Sequence, residues 1–230
     1  MLNLIKKWNV LAVLTTLIAL GNLSAEEGFV DLFNGKDLSG WTISEEHPDS
    51  YSVKDGVLIV KGGRSHIFYT GEVSDGNFKN FELKVRAKTF PGANSGVYFH
   101  TKYQKEGWPD NGYECQVNST HKDPKKTGSL YGVKNIIVLK EGQKEPKGDN
   151  AVREEAPSTD GEWFDYHIKV VDKRITIKVN GEITVDYEEP AEGSGTNFKG
   201  RKVSGGTFAI QAHDPDSEVH YESIQVKVLP

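Results

Sequence analysis

Apolar and polar residues alternate with period two along most of this chain. Phe81, Leu83, Val85 and Ala87 interleave with Glu82, Lys84, Arg86 and Lys88, which predicts a strand with one buried and one wet face. Tyr51 to Val60 reads as a hairpin with Asp55-Gly56 as its turn, and Gly62-Gly63 ends it. Trp163 to Val171 and Arg174 to Val179 form a second hairpin across Asp172-Lys173, and Asn180-Gly181 then turns the chain into Ile183 to Tyr187. Ile67 to Tyr69 is a short strand, Ile136 to Leu139 a buried one, and Gly206 to His213 and Val219 to Val228 close the set. Asn34-Gly35 marks a turn and Trp41 a core anchor. Lys140 to Glu155 and Glu188 to Ser204 are polar, Gly-containing loops. About a dozen short strands, with no helical period, internal repeat or linker, predict one all-β domain, a sandwich or a barrel.

One stretch departs from ordinary alternation. In Gly96 to Lys102, Val97 and Phe99 oppose Tyr98, His100 and Lys102; in Gly112 to Asn118, Tyr113, Cys115 and Val117 oppose Glu114, Gln116 and Asn118. A plain solvent face carries Lys, Thr and Glu, whereas these faces carry groups that bind and react. With Gln211 and His213 sharing a face farther on, the pattern predicts one concavity holding Tyr98, His100, Glu114, Gln116, Gln211 and His213. Trp108, in a Gly-Trp-Pro loop, is either a sugar-stacking platform or a core side chain. His121 and Asp123 could be metal ligands or plain loop residues, and Asp214 could simply cap its turn.

Composition narrows the class. The 230 residues carry 28 Lys and Arg against 33 Asp and Glu, a formal charge of −5 without the basic footprint of a nucleic-acid binder. Lys6-Lys7, the apolar run Val10 to Leu20 and the small Ala25 form a secretory signal peptide over residues 1–25. The run is shorter than the roughly 20 residues a membrane span needs. The expectation is a secreted or periplasmic domain over residues 26–230, with no membrane attachment after cleavage. Cys115 is the single cysteine, so no internal disulfide forms; on an apolar strand face it reads as a small buried hydrophobe.

The motifs DLFNGKDLSGW, NSGVYFH, GYECQVN, THKDPKKTGSLYGV, GEWFDYHIKV with VNGE, and TFAIQAHDPDSEVHYESIQVKVLP occur in this order. Together they resemble the 3-keto-disaccharide hydrolase family, also described as 3-keto-glucoside-1,2-lyase/3-keto-2-hydroxy-glucal hydratase. The resemblance implies a concanavalin A-like jelly-roll sandwich of two antiparallel sheets and a carbohydrate substrate with a ketone at sugar C3. It carries over to Glu114 and Gln116 through GYECQ and to His213 through QAHD. Laminarinase-type enzymes on that fold place catalytic carboxylates on one strand as Glu-x-Asp-x-x-Glu. Here the strand reads Glu114-Cys-Gln116-Val-Asn118, with amides in place of the later carboxylates, which disfavours the two-carboxylate route.

A C3 ketone acidifies the C2 proton, so one base can remove it, the enolate can expel the C1 substituent, and water can add to the glucal. Glu114 or His100 could be the base; Gln116, Gln211 and His213 could donate hydrogen bonds; Tyr131 could be the acid. Tyr98, Asn118, Trp108, Gln116 and Gln211 would contact the sugar. A divalent cation could hold the enediolate oxygens, although spacing reveals no ligand set. A non-catalytic carbohydrate-binding domain and a conventional glycosidase with a loop-borne second carboxylate are the alternatives.

Overall fold

A computed structural model describes residues 27–194 and 200–230; the signal segment lies outside the described residues. The strands are β1 (Val30–Asp31), β2 (Trp41–Ile43), β3 (Tyr51–Lys54), β4 (Val57–Lys61), β5 (Ser65–Tyr69), β6 (Asn80–Thr89), β7 (Ser95–Thr101), β8 (Tyr113–Val117), β9 (Lys134–Ile137), β10 (Asp149–Val152), β11 (Phe164–Val171), β12 (Arg174–Val179), β13 (Glu182–Glu188), β14 (Thr207–Ala212) and β15 (Glu218–Leu229). All but β9 and β10 form two antiparallel sheets, as expected for a jelly-roll sandwich. The larger runs β13-β12-β11-β6-β15-β4-β3 with β1 added beside β15; the smaller runs β2-β5-β14-β7-β8.

The period-two pattern decides what fills the space between the sheets. Leu83, Val85 and Ala87 of β6, Ile168 and Val170 of β11, and Ile224 and Val226 of β15 face Val97, Phe99, Cys115, Val117, Phe208 and Ile210 of the smaller sheet, all nearly inaccessible. Trp41 belongs to this core, and its indole N–H donates to the Leu32 carbonyl (2.8 Å). The hairpin turns fall at Asp55-Gly56 and Asn180-Gly181, whose backbones take the positive φ such turns require. The Lys140 to Glu155 loop departs from expectation. It contains β10, which pairs in parallel with β9, and the alternating pattern misses it because β10 is polar and largely exposed.

The smaller sheet is buried on both faces. Its inner face meets the core, and its outer face lies under the loops after β7, β8 and β13. That doubly covered sheet positions the candidate site.

Candidate active site

Register sets the floor of the site on the outer face of the smaller sheet. Gln211 pairs with His66, Ala209 with Phe68 and Tyr98, Tyr98 with Glu114, and Gly96 with Gln116. Rows of His66, Gln211, Gly96 and Gln116, and of Phe68, Ala209, Tyr98 and Glu114, therefore run side by side. Gly96 is required by space: a Cβ there would stand 2.7 Å from Glu114 Oε1. Above the floor is a cavity of about 310 Å³ lined by Asn94, Tyr98, Trp108, Pro109, Glu114, Gln116, Asp123, Tyr131, Arg201, Gln211 and His213.

Glu114 is 5 % exposed, and both of its oxygens are engaged. Arg201 Nη2 donates to Oε2 and Gln211 Nε2 to Oε1, each at 3.3 Å. Gln211 Nε2 also donates to the Tyr98 hydroxyl (3.0 Å). Burial, reinforced by the Glu114 charge, holds the Tyr98 phenol well above its usual pKa. Across the cavity the Tyr131 hydroxyl donates to Asp123 Oδ2 (3.0 Å), while Asp123 Oδ1 accepts the Lys125 backbone N–H (2.9 Å). Burial first and the Asp123 charge second raise the Tyr131 pKa.

A polar relay orients the side groups of the third wall. The Asp123 backbone N–H, which has no alternative orientation, donates to His121 Nδ1 (3.1 Å), so that nitrogen is an acceptor. Asn94 Nδ2 also points at it (3.2 Å), and Asn94 Oδ1 accepts from Gln116 Nε2 (3.0 Å). The neutral His121 ring then carries its proton on Nε2, and burial, aided by the neighbouring His213, lowers its pKa. Lys126 holds this loop from beneath with its ammonium on the His121 and Asp123 carbonyls (2.7 and 2.9 Å); burial pushes its pKa down to about 8. Beside His121, His213 Nδ1 lies 2.6 Å from Asp214 Oδ2. Burial opposes the Asp214 charge, but hydrogen bonds from His213, the Ser217 hydroxyl and the Asp216 N–H hold its pKa below the usual carboxylate range.

A pocket of this composition on a jelly-roll sheet can be set beside known proteins. Residues 28–227 match the 3-keto-alpha-glucoside-1,2-lyase-like domain. The chain belongs to this family. A 3-keto-disaccharide hydrolase of Bacteroides thetaiotaomicron is 30% identical over 84 residues, which is 32% of this chain and 27% of that relative. The aligned part therefore spans about a quarter of the curated relative. A solved Parabacteroides distasonis protein, provisionally described as a glycosyl hydrolase, superposes with a TM-score of 0.66 at 24% identity, covering 89% of this chain and 95% of that one. A Bacillus subtilis carbohydrate-binding module superposes with a TM-score of 0.52 at 11% identity over 83% of this chain and 96% of its own. At these identities the two structures establish the shared fold.

Within this lyase-like domain, Tyr98, Glu114, Gln116, Gln211, His213, Tyr131 and Trp108 of the expected set converge on the cavity. His100 does not. Its backbone takes φ 56°, and two residues of β7, Phe99 and His100, oppose one of β14. This bulge turns His100 inward, where both it and Phe99 pack against Phe81 at 5.7 Å between ring centroids. Its Nε2–H donates to the Lys79 carbonyl (2.9 Å) and its Nδ1 accepts the Ser204 N–H (3.3 Å), so it is not available as the base. Asn118 is also absent from the lining. Its amide is spent on the Asp123 and Lys125 carbonyls (3.0 and 2.8 Å), shaping the loop that carries His121 and Asp123. Trp108 is 43% exposed, neither core nor free. Its loop is fixed by the Gln104 side chain, whose Nε2 donates to the Glu106 and Trp108 carbonyls and whose Oε1 accepts the Asp110 N–H, and by the Gly107 N–H on Glu46 (2.9 Å).

Arg201 and Asn94 belong to the site, and the alternation pattern reaches neither. Arg201 stands in the Gly-rich loop after β13; Asn94 stands in the turn before β7. Among the described residues, His121, His213 and Asp214 are the group placed to hold a metal ion. The chemistry of the donors does not fit one: with Nδ1 held as an acceptor, His121 directs an N–H rather than a lone pair toward Asp214, 3.9 Å away. Within the group only His213 and Asp214 are hydrogen-bonded, and the His121 ring stands edge-on to His213.

Proposed function

We propose that this domain cleaves 3-keto-glycosides by removing the C2 proton and expelling the C1 substituent, with water then adding to the glucal. Family membership supports the substrate class. The observation that carries the chemistry is the commitment of Glu114. With both oxygens held by Arg201 and Gln211, it is poorly placed to attack or protonate a glycosidic bond, while Arg201 and the floor amides supply groups that can face a developing enolate. Trp108 and Tyr98 would bound the sugar ring. Export through the 1–25 segment belongs to the same reading, since it would place the enzyme where glycosides are met. One observation favours a second reading: Asp123 brings a loop carboxylate into the cavity opposite the strand-borne Glu114, as a two-carboxylate hydrolase would need.

The two readings separate on substrate and label. Incubated in deuterated water, the protein is expected to cleave a 3-keto-glucoside, leave the unoxidised parent intact and place deuterium at C2 of the released keto-sugar. Cleavage of the unoxidised disaccharide without label at C2 would decide for the two-carboxylate hydrolase.

A further inference from the structure

We infer that His213 is the base that takes the C2 proton and that Asp214 is its positioning residue. This rests on the elimination reading above. The pair lies just beyond the end of β14, at the border of the cavity. Asp214 is anchored through both oxygens: Oδ1 accepts the Asp216 N–H (3.1 Å), and Oδ2 accepts the Ser217 hydroxyl (2.9 Å). That hydroxyl in turn accepts the Asn94 N–H (2.9 Å), tying the carboxylate to the turn before β7. A carboxylate only accepts, so His213 Nδ1, 2.6 Å from Oδ2, carries the ring proton. The lone pair of the neutral imidazole is then on Nε2. The ring itself borders the cavity and lies 5.4 Å from Trp108 and from His121, centroid to centroid. A carboxylate that fixes the tautomer and steadies the imidazolium is the arrangement that makes histidine an effective base.

The step balances as follows. Nε2 takes the C2 proton, and the C2–H pair becomes the C2–C3 double bond of the enolate, whose oxygen is the former ketone. That pair then forms C1=C2 as the C1–O bond breaks and its electrons leave with the aglycone oxygen. The imidazolium returns its proton to that oxygen. Water adds its oxygen to C1 and C2 is reprotonated, so the sum is hydrolysis.

The test isolates proton removal from cleavage. A 3-keto-1,5-anhydroglucitol has an acidic C2 proton and no leaving group, so C2 exchange with deuterated water reports the base alone. The wild-type chain is expected to exchange it. His213→Gln should lower the exchange rate by about 10²- to 10⁴-fold, and added imidazole should restore part of it in His213→Gly. Asp214→Asn should lower kcat for a 3-keto-glucoside by about 10²-fold or more with KM little changed, since an orienting carboxylate acts on the step and not on binding. Circular dichroism shows whether each variant folds, and Asp214→Glu, which keeps the acceptor, should recover part of the loss. No exchange in the wild-type chain would sink the elimination reading itself. Exchange that survives in folded His213→Gln but is lost in Glu114→Gln would overturn this assignment alone. So would activity lost to a chelator and restored by a divalent cation, with His121→Gln as damaging as His213→Gln.

Discussion

His66 lies in the floor row beside Gln211, wholly buried, with both ring nitrogens unpartnered and its ring edge-on to Tyr98 and Trp108. Burial pushes its pKa down to about 3, against about 6.5 in the unfolded chain. A depressed folded value means that its contribution to stability is complete above pH 6.5 and is lost as the pH falls toward 3. Between pH 6.5 and 4.5 this amounts to roughly 2–3 kcal/mol. Urea unfolding across that window should show a shallower fall for His66→Phe than for the wild-type chain; parallel curves would remove His66 as the cause. His66 also shows where single-residue reading ends. Tyr98, Glu114, Gln116 and Gln211 are legible because each alternates with apolar neighbours inside a strand. His66 precedes the apolar Ile67 to Tyr69 run and so escapes the pattern. Arg201 escapes because nothing local links a Gly-rich loop to β8; only the folded chain brings its guanidinium to Glu114.

At the scale of elements, β7 shows what a two-residue period cannot carry. The pattern predicts His100 on the outer face, but one inserted residue against β14 reverses every side chain beyond it. The strained φ is held because His100 joins two elements, the end of the loop that delivers Arg201 through Ser204 and the start of β6 through Lys79. Burial lowers its pKa, which keeps the ring neutral so that one nitrogen accepts while the other donates. His100→Leu would take the partner from the Ser204 N–H and the Lys79 carbonyl, both only partly buried, and should cost about 1–3 kcal/mol in urea unfolding. His100→Asn, a residue that tolerates positive φ and can both donate and accept, should lose clearly less; equal losses would show that ring packing, not the two hydrogen bonds, is what matters. The regular strands were legible because alternation and turn residues agree. The bulge and β10 were not, since both depend on partners distant in sequence.

For the whole molecule, the all-β reading from alternation and turns was sound because two antiparallel sheets close over one core. Cys115 sits inside it, fully buried, and burial raises its thiol pKa far up. The thiol should therefore resist a disulfide reagent until the core opens, and its labelling rate in urea should track global unfolding; rapid labelling of native protein would contradict this core. If residues 1–25 direct export, the mature chain should begin within a few residues of Glu26 on N-terminal sequencing, and a folded cytoplasmic protein retaining Met1 would refute it. The order of strands in the larger sheet bears on the same journey. β15, the last strand along the chain, lies between β6 and β4 and also carries β1. Until it arrives, the two halves of that sheet have no edge in common, and the core between the sheets lacks Val219, Tyr221, Ile224 and Val226. A nascent chain emerging from the ribosome can thus make hairpins but not the sandwich. If residues 1–25 direct export, such a delay would keep the polypeptide threadable through a narrow channel until the keystone strand locks the fold.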